Sequence, residues 1–143
     1  MIRAMLILLI SISMSGCVES SSANQSSNID HTVVSSGIQM GIDNQQTHVL
    51  RNAATYSTFI SSTQILGVIP NPDFTQNMLV GIFSTLGSCD SLSVSSVEDL
   101  DGSIVISLSS TKAEVCTAVV GNHYLFIEMA QSTKQVSVIY KIN

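Results

Sequence analysis

From Pro72 to Met129 the chain is a succession of short apolar runs: MLVGIF (78–83), LSVSSV (92–97), SIVISL (103–108) and HYLFIEM (123–129), each bounded by Gly, Ser, Asp or Asn. Runs of this length, closed off by turn-forming residues and partly alternating with polar ones, read as strands. They restrict the chain to a mainly β (α+β) fold: a small antiparallel sheet domain with one packed helix and one disulfide. At 143 residues there is room for a single core.

The middle pair of runs carries the most specific information. Asp101-Gly102 is a strong two-residue hairpin signal, because both residues tolerate positive φ. Centring the turn there sets Val97 level with Ile106 and requires a one-residue bulge at Ser95 or Ser96, where the apolar alternation slips. The same register puts Cys89 opposite Ala113, three residues short of Cys116, so the open ends of the hairpin bring Cys89 and Cys116 within bridging range. A disulfide there would stabilise a small domain by roughly 3–4 kcal/mol in the chain-entropy model.

Elsewhere the pattern is less regular. His31 to Met40 reads as a first strand interrupted at Gly37, with Val33, Val34, Ile38 and Met40 partly buried; residues 41–46 read as a turn. Asn52 is a suitable N-cap for a helix in which Ala53, Tyr56, Phe59, Ile60 and Thr63 share a face. Pro70 and Pro72 end whatever precedes them. Met78 to Phe83, apolar on both faces, suits a central strand covered by the helix on one side. Ala118 to Val120, His123 to Met129 and Val136 to Ile142 complete the sheet, the last two joined by the polar loop Gln131 to Lys134, with Val136, Val138, Tyr140 and Ile142 on one face.

The first residues have a different logic. Residues 1–16 have one basic residue, Arg3, an apolar run from Ala4 to Ile12, and small residues before Cys17. The run is well short of the roughly 20 residues that span a bilayer, so it reads as an export signal. Met14, Ser15, Gly16 and Cys17 resemble a bacterial lipobox, which makes Cys17 the lipidated first residue of the mature chain; ordinary cleavage leaving a free thiol, or an uncleaved anchor, are the alternatives. Residues 17–30 then form a lipidated Cys and a flexible Ser/Asn-rich tether with a reach of roughly 20 Å, and residues 31–143 the globular domain. By resemblance to lipoproteins of diderm bacteria, Val18 and Glu19 imply passage to the outer membrane. The sequon at Asn24 carries no meaning in such a cell.

Several functions are disfavoured. Only 10% of residues are charged and the net charge is −5; Arg51, Lys112, Lys134 and Lys141 are scattered singly, so nucleic acid is not an expected partner. There is no G-x-S-x-G elbow and no Gly-rich phosphate loop. His31, His48 and His123 stand apart from one another. Cys89 and Cys116 with His123 match no zinc spacing, and Glu98, Asp99 and Asp101 read as a solvated hairpin tip before a calcium site. No enzyme activity and no cofactor are expected.

Pro72-Asp73-Phe74, Asn77 to Phe83, a turn at Gly87, the Asp101-Gly102 hairpin and His123 to Met129 together resemble the C-terminal domain of the PrcB family. Where that family has Thr-Gly-Gly-Tyr after its first long strand, this chain has Gly87-Ser88-Cys89-Asp90. The resemblance implies a lipoprotein subunit that stabilises a surface protease complex without cleaving anything itself. The expected function is therefore a lipid-anchored module that docks or stabilises a partner envelope protein, through sheet edges and the turns at Gly87, Ser88, Asp90 and Ser91 and at Gly121, Asn122 and His123. The alternative is a small-molecule- or glycan-binding, or inhibitor-like, envelope lipoprotein. The absence of Trp and the 5% aromatic content weigh against glycans.

Overall fold

The computed structural model describes residues 26–39, 44–65, 67–87, 89–112 and 120–142; Cys17, Ser88 and Cys116, the expected signal peptide and most of the tether lie outside them. The described residues form β1 (Ser27–Asn28), β2 (His31–Gln39), β3 (Gln46–Leu50), α1 (Ala53–Ser62), β4 (Asn77–Gly87), β5 (Ser91–Leu100), β6 (Ser103–Thr111), β7 (Val120–Ala130) and β8 (Gln135–Ile142). The fold is mainly β, as the sequence predicts. In place of one antiparallel sheet, however, there are two sheets of four strands, ordered β1-β5-β6-β8 and β2-β7-β4-β3. One pairing, β6 with β8, is parallel. After β7 the chain crosses from one sheet to the other instead of turning back on itself.

Three layers result. Met78, Val80 and Ile82 of β4 and Leu125, Ile127 and Met129 of β7 face Val97, Ile104, Ile106 and Leu108 of the opposing sheet, giving an aliphatic core between the sheets. The alternate residues, Leu79 and Phe83 of β4 and Tyr124 and Phe126 of β7, point the other way and meet Leu50 and Phe59 under the helix. Central strands buried on both faces are thus continuous apolar runs, as expected for Met78 to Phe83.

The hairpin is as expected. Leu100 pairs with Ser103 and Val97 with Ile106, and the register shifts between Val94 and Ser96. Only Gly102, at φ 87°, takes a positive φ in the turn; Asp101 does not. The helix also begins where expected, with the Thr55 N–H donating to Asn52 Oδ1 at 2.9 Å. Phe59 is its buried residue, while Tyr56 and Ile60 are half-buried and Ala53 is exposed.

Four expectations need correction. β2 runs unbroken through Gly37, where the absent side chain leaves room for the Tyr124 ring. Val33 and Ile38 are not partly buried but 45% and 50% exposed, since β2 lies at the sheet edge. β3 went unread because QTHVL has three exposed or half-exposed polar residues and no clean alternation. Finally, Ser27 and Asn28, assigned to the tether, pair with Asp99 and Glu98, and the Ile29 N–H donates to Val97 O at 2.9 Å. The fold therefore includes Ser27, Asn28 and Ile29.

Two side chains fasten the crossover between the sheets. Arg51 donates from Nε to Ser132 O and from an Nη to Lys134 O, both at 2.7 Å. Gln131 Nε2 lies within hydrogen-bond distance of the carbonyls of Arg51, Phe74 and Asn77, at 2.9, 3.0 and 2.6 Å. Lys134, just before β8, then pairs with Asp99 of β5 at 2.5 Å, at a site exposed enough for the pair to be worth about 1 kcal/mol or less.

Candidate functional site

The two segments named as contact candidates come together at one end of the sandwich. β4 and β7 pair as far as Leu86 with Gly121 and Gly87 with Val120, so the turn after β4 sits directly beside the start of β7. The turn is closed by its own polar groups. The Gly87 N–H donates to Asp90 Oδ2 at 3.0 Å, and the Asp90 N–H donates back to Gly87 O at 2.9 Å. His123 Nε2 lies 3.1 Å from the same carbonyl. A carbonyl can only accept, so Nε2 carries the proton. Across the ladder, Thr85 Oγ1 donates to Asn122 Oδ1 at 3.2 Å.

This geometry changes the roles of the candidates. Gly121, Asn122 and His123 are not a turn: they lie inside β7, all three held by β4 and the last two also by β2. His123 is 8% exposed and fastens the Gly87 turn from within, so it is a tie rather than a contact residue. Of the rest, Ser91 is exposed and Gly87, Asp90, Gly121 and Asn122 are half-buried.

The acidic residues near the hairpin do not converge. Asp99 turns to Lys134, Glu98 accepts from Ser26 Oγ at 2.9 Å, and Asp101 sits in the exposed turn. Neighbouring positions on a strand face opposite ways, which separates Glu98 from Asp99. The hydroxyls of Ser26 and Ser96 hold the Glu98 carboxyl below its ordinary value. Among the described residues no three His, Cys, Asp or Glu side chains stand close enough to hold a metal ion.

The sequence reading missed the more open surface along β2. Among the described residues β2 is the outer strand of its sheet, paired only with β7. Its register sets Val33 beside Ile127 and Ile38 beside His123, on the face toward the other sheet, but that sheet does not cover them. On the opposite face Ser35 Oγ donates to Val68 O at 2.7 Å, bringing alongside a loop in which Val68 is 74% and Ile69 49% exposed. A scattered exposed residue carries little meaning, but four large aliphatic ones on and beside a single free strand edge are a concentration. The signal available in the sequence was the pair of β-branched residues flanking Ser35-Ser36-Gly37.

Among the described residues no helix is long and apolar enough to cross a membrane. No family model, no curated protein and no solved structure matches this chain.

Proposed function

We propose that the chain is a lipid-anchored interaction module of the cell envelope, held to the outer membrane of a diderm bacterium through Cys17, which docks and stabilises a partner envelope protein by accepting a strand along β2. The observation that carries this reading is the free β2 edge with Val33 and Ile38 half exposed on it. Backbone groups along an unpaired edge supply affinity by strand addition, and side chains of this kind supply selectivity. The resemblance to the PrcB family suggests a protease complex as the partner.

With Ser27 and Asn28 bound to β5, the chain joins the fold beside Glu98 and Asp99, near the hairpin tip. The Gly87 turn lies at the other end of β5 and so points away from the lipid in this arrangement.

The Cys89–Cys116 disulfide belongs to the same reading. It is supported by the pairing of Ser91 with Thr111 at the open end of the hairpin, and by Cys89 being disulfide-bonded.

The test is photocrosslinking in intact cells with a crosslinker placed at Val33 or Ile38 and, as control, at Ser93 on the far sheet, in the native chain and in Cys17→Ala. One abundant adduct from the β2 positions, lost with the anchor, is the expected result. Equal labelling from Ser93, or no adduct at all, would sink the proposal.

A further inference from the structure

Between the sheets, close to the Gly87 end, lies a cavity of about 150 Å³. Four strands contribute to it: Leu86 from β4, Leu92 from β5, Leu108 from β6 and Tyr140 from β8, with Ser84 and Gln45 beside them. Leu108 and Ser84 are buried, at 0% and 7% exposure, whereas Gln45 and Lys141 at the rim are exposed, so the space communicates with solvent.

Tyr140 is the telling residue. It continues the inward row of Val136 and Val138 along β8 and packs with them against the inter-sheet core. A phenylalanine would fill that place without a polar atom. The tyrosine instead carries its hydroxyl inside, and that buried oxygen has no hydrogen-bond partner among the described residues. The side chains of Gln45 and Ser84 face it and temper the rise that burial imposes on its pKa, but neither meets it in hydrogen-bond geometry. Leaving such a group unpaired costs about 1–3 kcal/mol, which an acceptor delivered into the cavity would recover.

We propose that this cavity binds a small neutral molecule, up to about the size of one six-membered ring, whose hydrogen-bond acceptor meets the Tyr140 hydroxyl while its apolar body lies against Leu86, Leu92 and Leu108. A space of this volume accommodates one ring of benzene size. The ligand is neutral because the inner walls, Leu86, Leu92 and Leu108, are aliphatic and the phenol holds its proton, while the charged Lys141 stays at the exposed rim, so a buried charge would find no counterpart inside. The site is separate from β2, and neither assignment depends on the other.

The test uses the full-length protein, titrated with cyclohexanone and, as the acceptor-free control, methylcyclohexane, following the methyl resonances of Leu86, Leu92 and Leu108. Cyclohexanone should bind roughly tenfold more tightly, the value of one neutral hydrogen bond. Tyr140→Phe should abolish that preference while leaving the folded spectrum intact, and Leu92→Phe, which fills the cavity, should abolish binding. Absence of cyclohexanone binding, equal affinity for both probes, or a preference that survives Tyr140→Phe would each overturn the assignment; the first would leave the hydroxyl to an ordinary water.

Discussion

The two faces of the β4–β7 pair are built from different materials. Toward the other sheet they present Met78, Val80, Ile82, Leu125, Ile127 and Met129, all aliphatic. Toward the helix they present Phe83, Tyr124 and Phe126, which with Phe59 form a cluster whose ring centroids lie 5.7–6.2 Å apart, two of the contacts near-perpendicular. The difference follows from what covers each face. A long sheet offers many small contacts and suits interdigitating branched side chains. A helix of 10 residues with exposed Ser and Thr positions offers one anchor, Phe59, and large rings must bridge the remaining distance. The helix owes its place to those rings, not to its own propensity.

Truncation should separate the faces most strongly. Phe126→Ala removes the ring in contact with Phe59, Phe83 and Tyr124 and should cost about 3–5 kcal/mol in urea unfolding. Equal destabilisation of both faces by comparable truncations would erase the distinction. Next is Gly81→Ala. A Cβ at Gly81 would sit 2.8 Å from Phe126 Cε1, so the ring must move, at a cost of about 1–3 kcal/mol. Phe126→Leu in the same chain should recover part of that loss, and purely additive effects would show that glycine and ring are not coupled. On the aliphatic face, Ile127→Val should cost only about 0.5–1.5 kcal/mol, because neighbouring branched chains close over a missing methyl more easily than rings do.

The smallest effect is a dependence on pH confined to the aromatic face. His48, on β3 beside Gly81, lies 4.7 Å from the Phe59 ring and 5.8 Å from that of Phe83, and burial lowers its pKa from the ordinary 6.5. Below the ordinary value the unfolded chain takes up the proton more readily than the folded one. This contribution is therefore complete above about 6.5 and declines as the pH falls through the lowered value. Because His48 is largely solvated, the slope is shallow. His48→Gln should flatten the wild-type stability curve on the acid side of neutrality while leaving it unchanged above pH 7; parallel curves would exclude His48 as the titrating group.

The parts of this fold that were legible are the ones encoded locally. The Asp101-Gly102 turn, the Val97–Ile106 register, the slip beside Ser95, the Asn52 cap and the double-sided burial of Met78 to Phe83 each depend on residues close together in sequence. The division into two sheets does not. It rests on β8 joining β6 in parallel, and on Arg51, about 80 residues away, gripping the crossover while Gln131 within it reaches back to the Arg51 carbonyl. Short alternating runs suit one sheet or two equally well. The site was legible by half: Gly87 and Asp90 do form a turn, but Gly121 to His123, punctuated by Gly and Asn as a turn would be, are drawn into β7 by pairing with β4 and, from Asn122 on, with β2 as well.

The residues from Ser26 to Ile29 also decide how the domain bears a load. A pull on the chain before Ser26 meets a core only through Ile29, which packs against the inter-sheet cluster. It reaches first the two-residue pairing of β1, the Ser26 hydroxyl on Glu98 and the Ile29 N–H on Val97. These few bonds would peel one after another, whereas β2 behind them is laced to β7 along His31 to Gln39 and must be sheared as a unit. β1 is therefore expected to yield before β2: unpairing Ser26 to Ile29 would release about four residues, on the order of 14 Å of slack, at the loss of the Ile29 contact with the inter-sheet core.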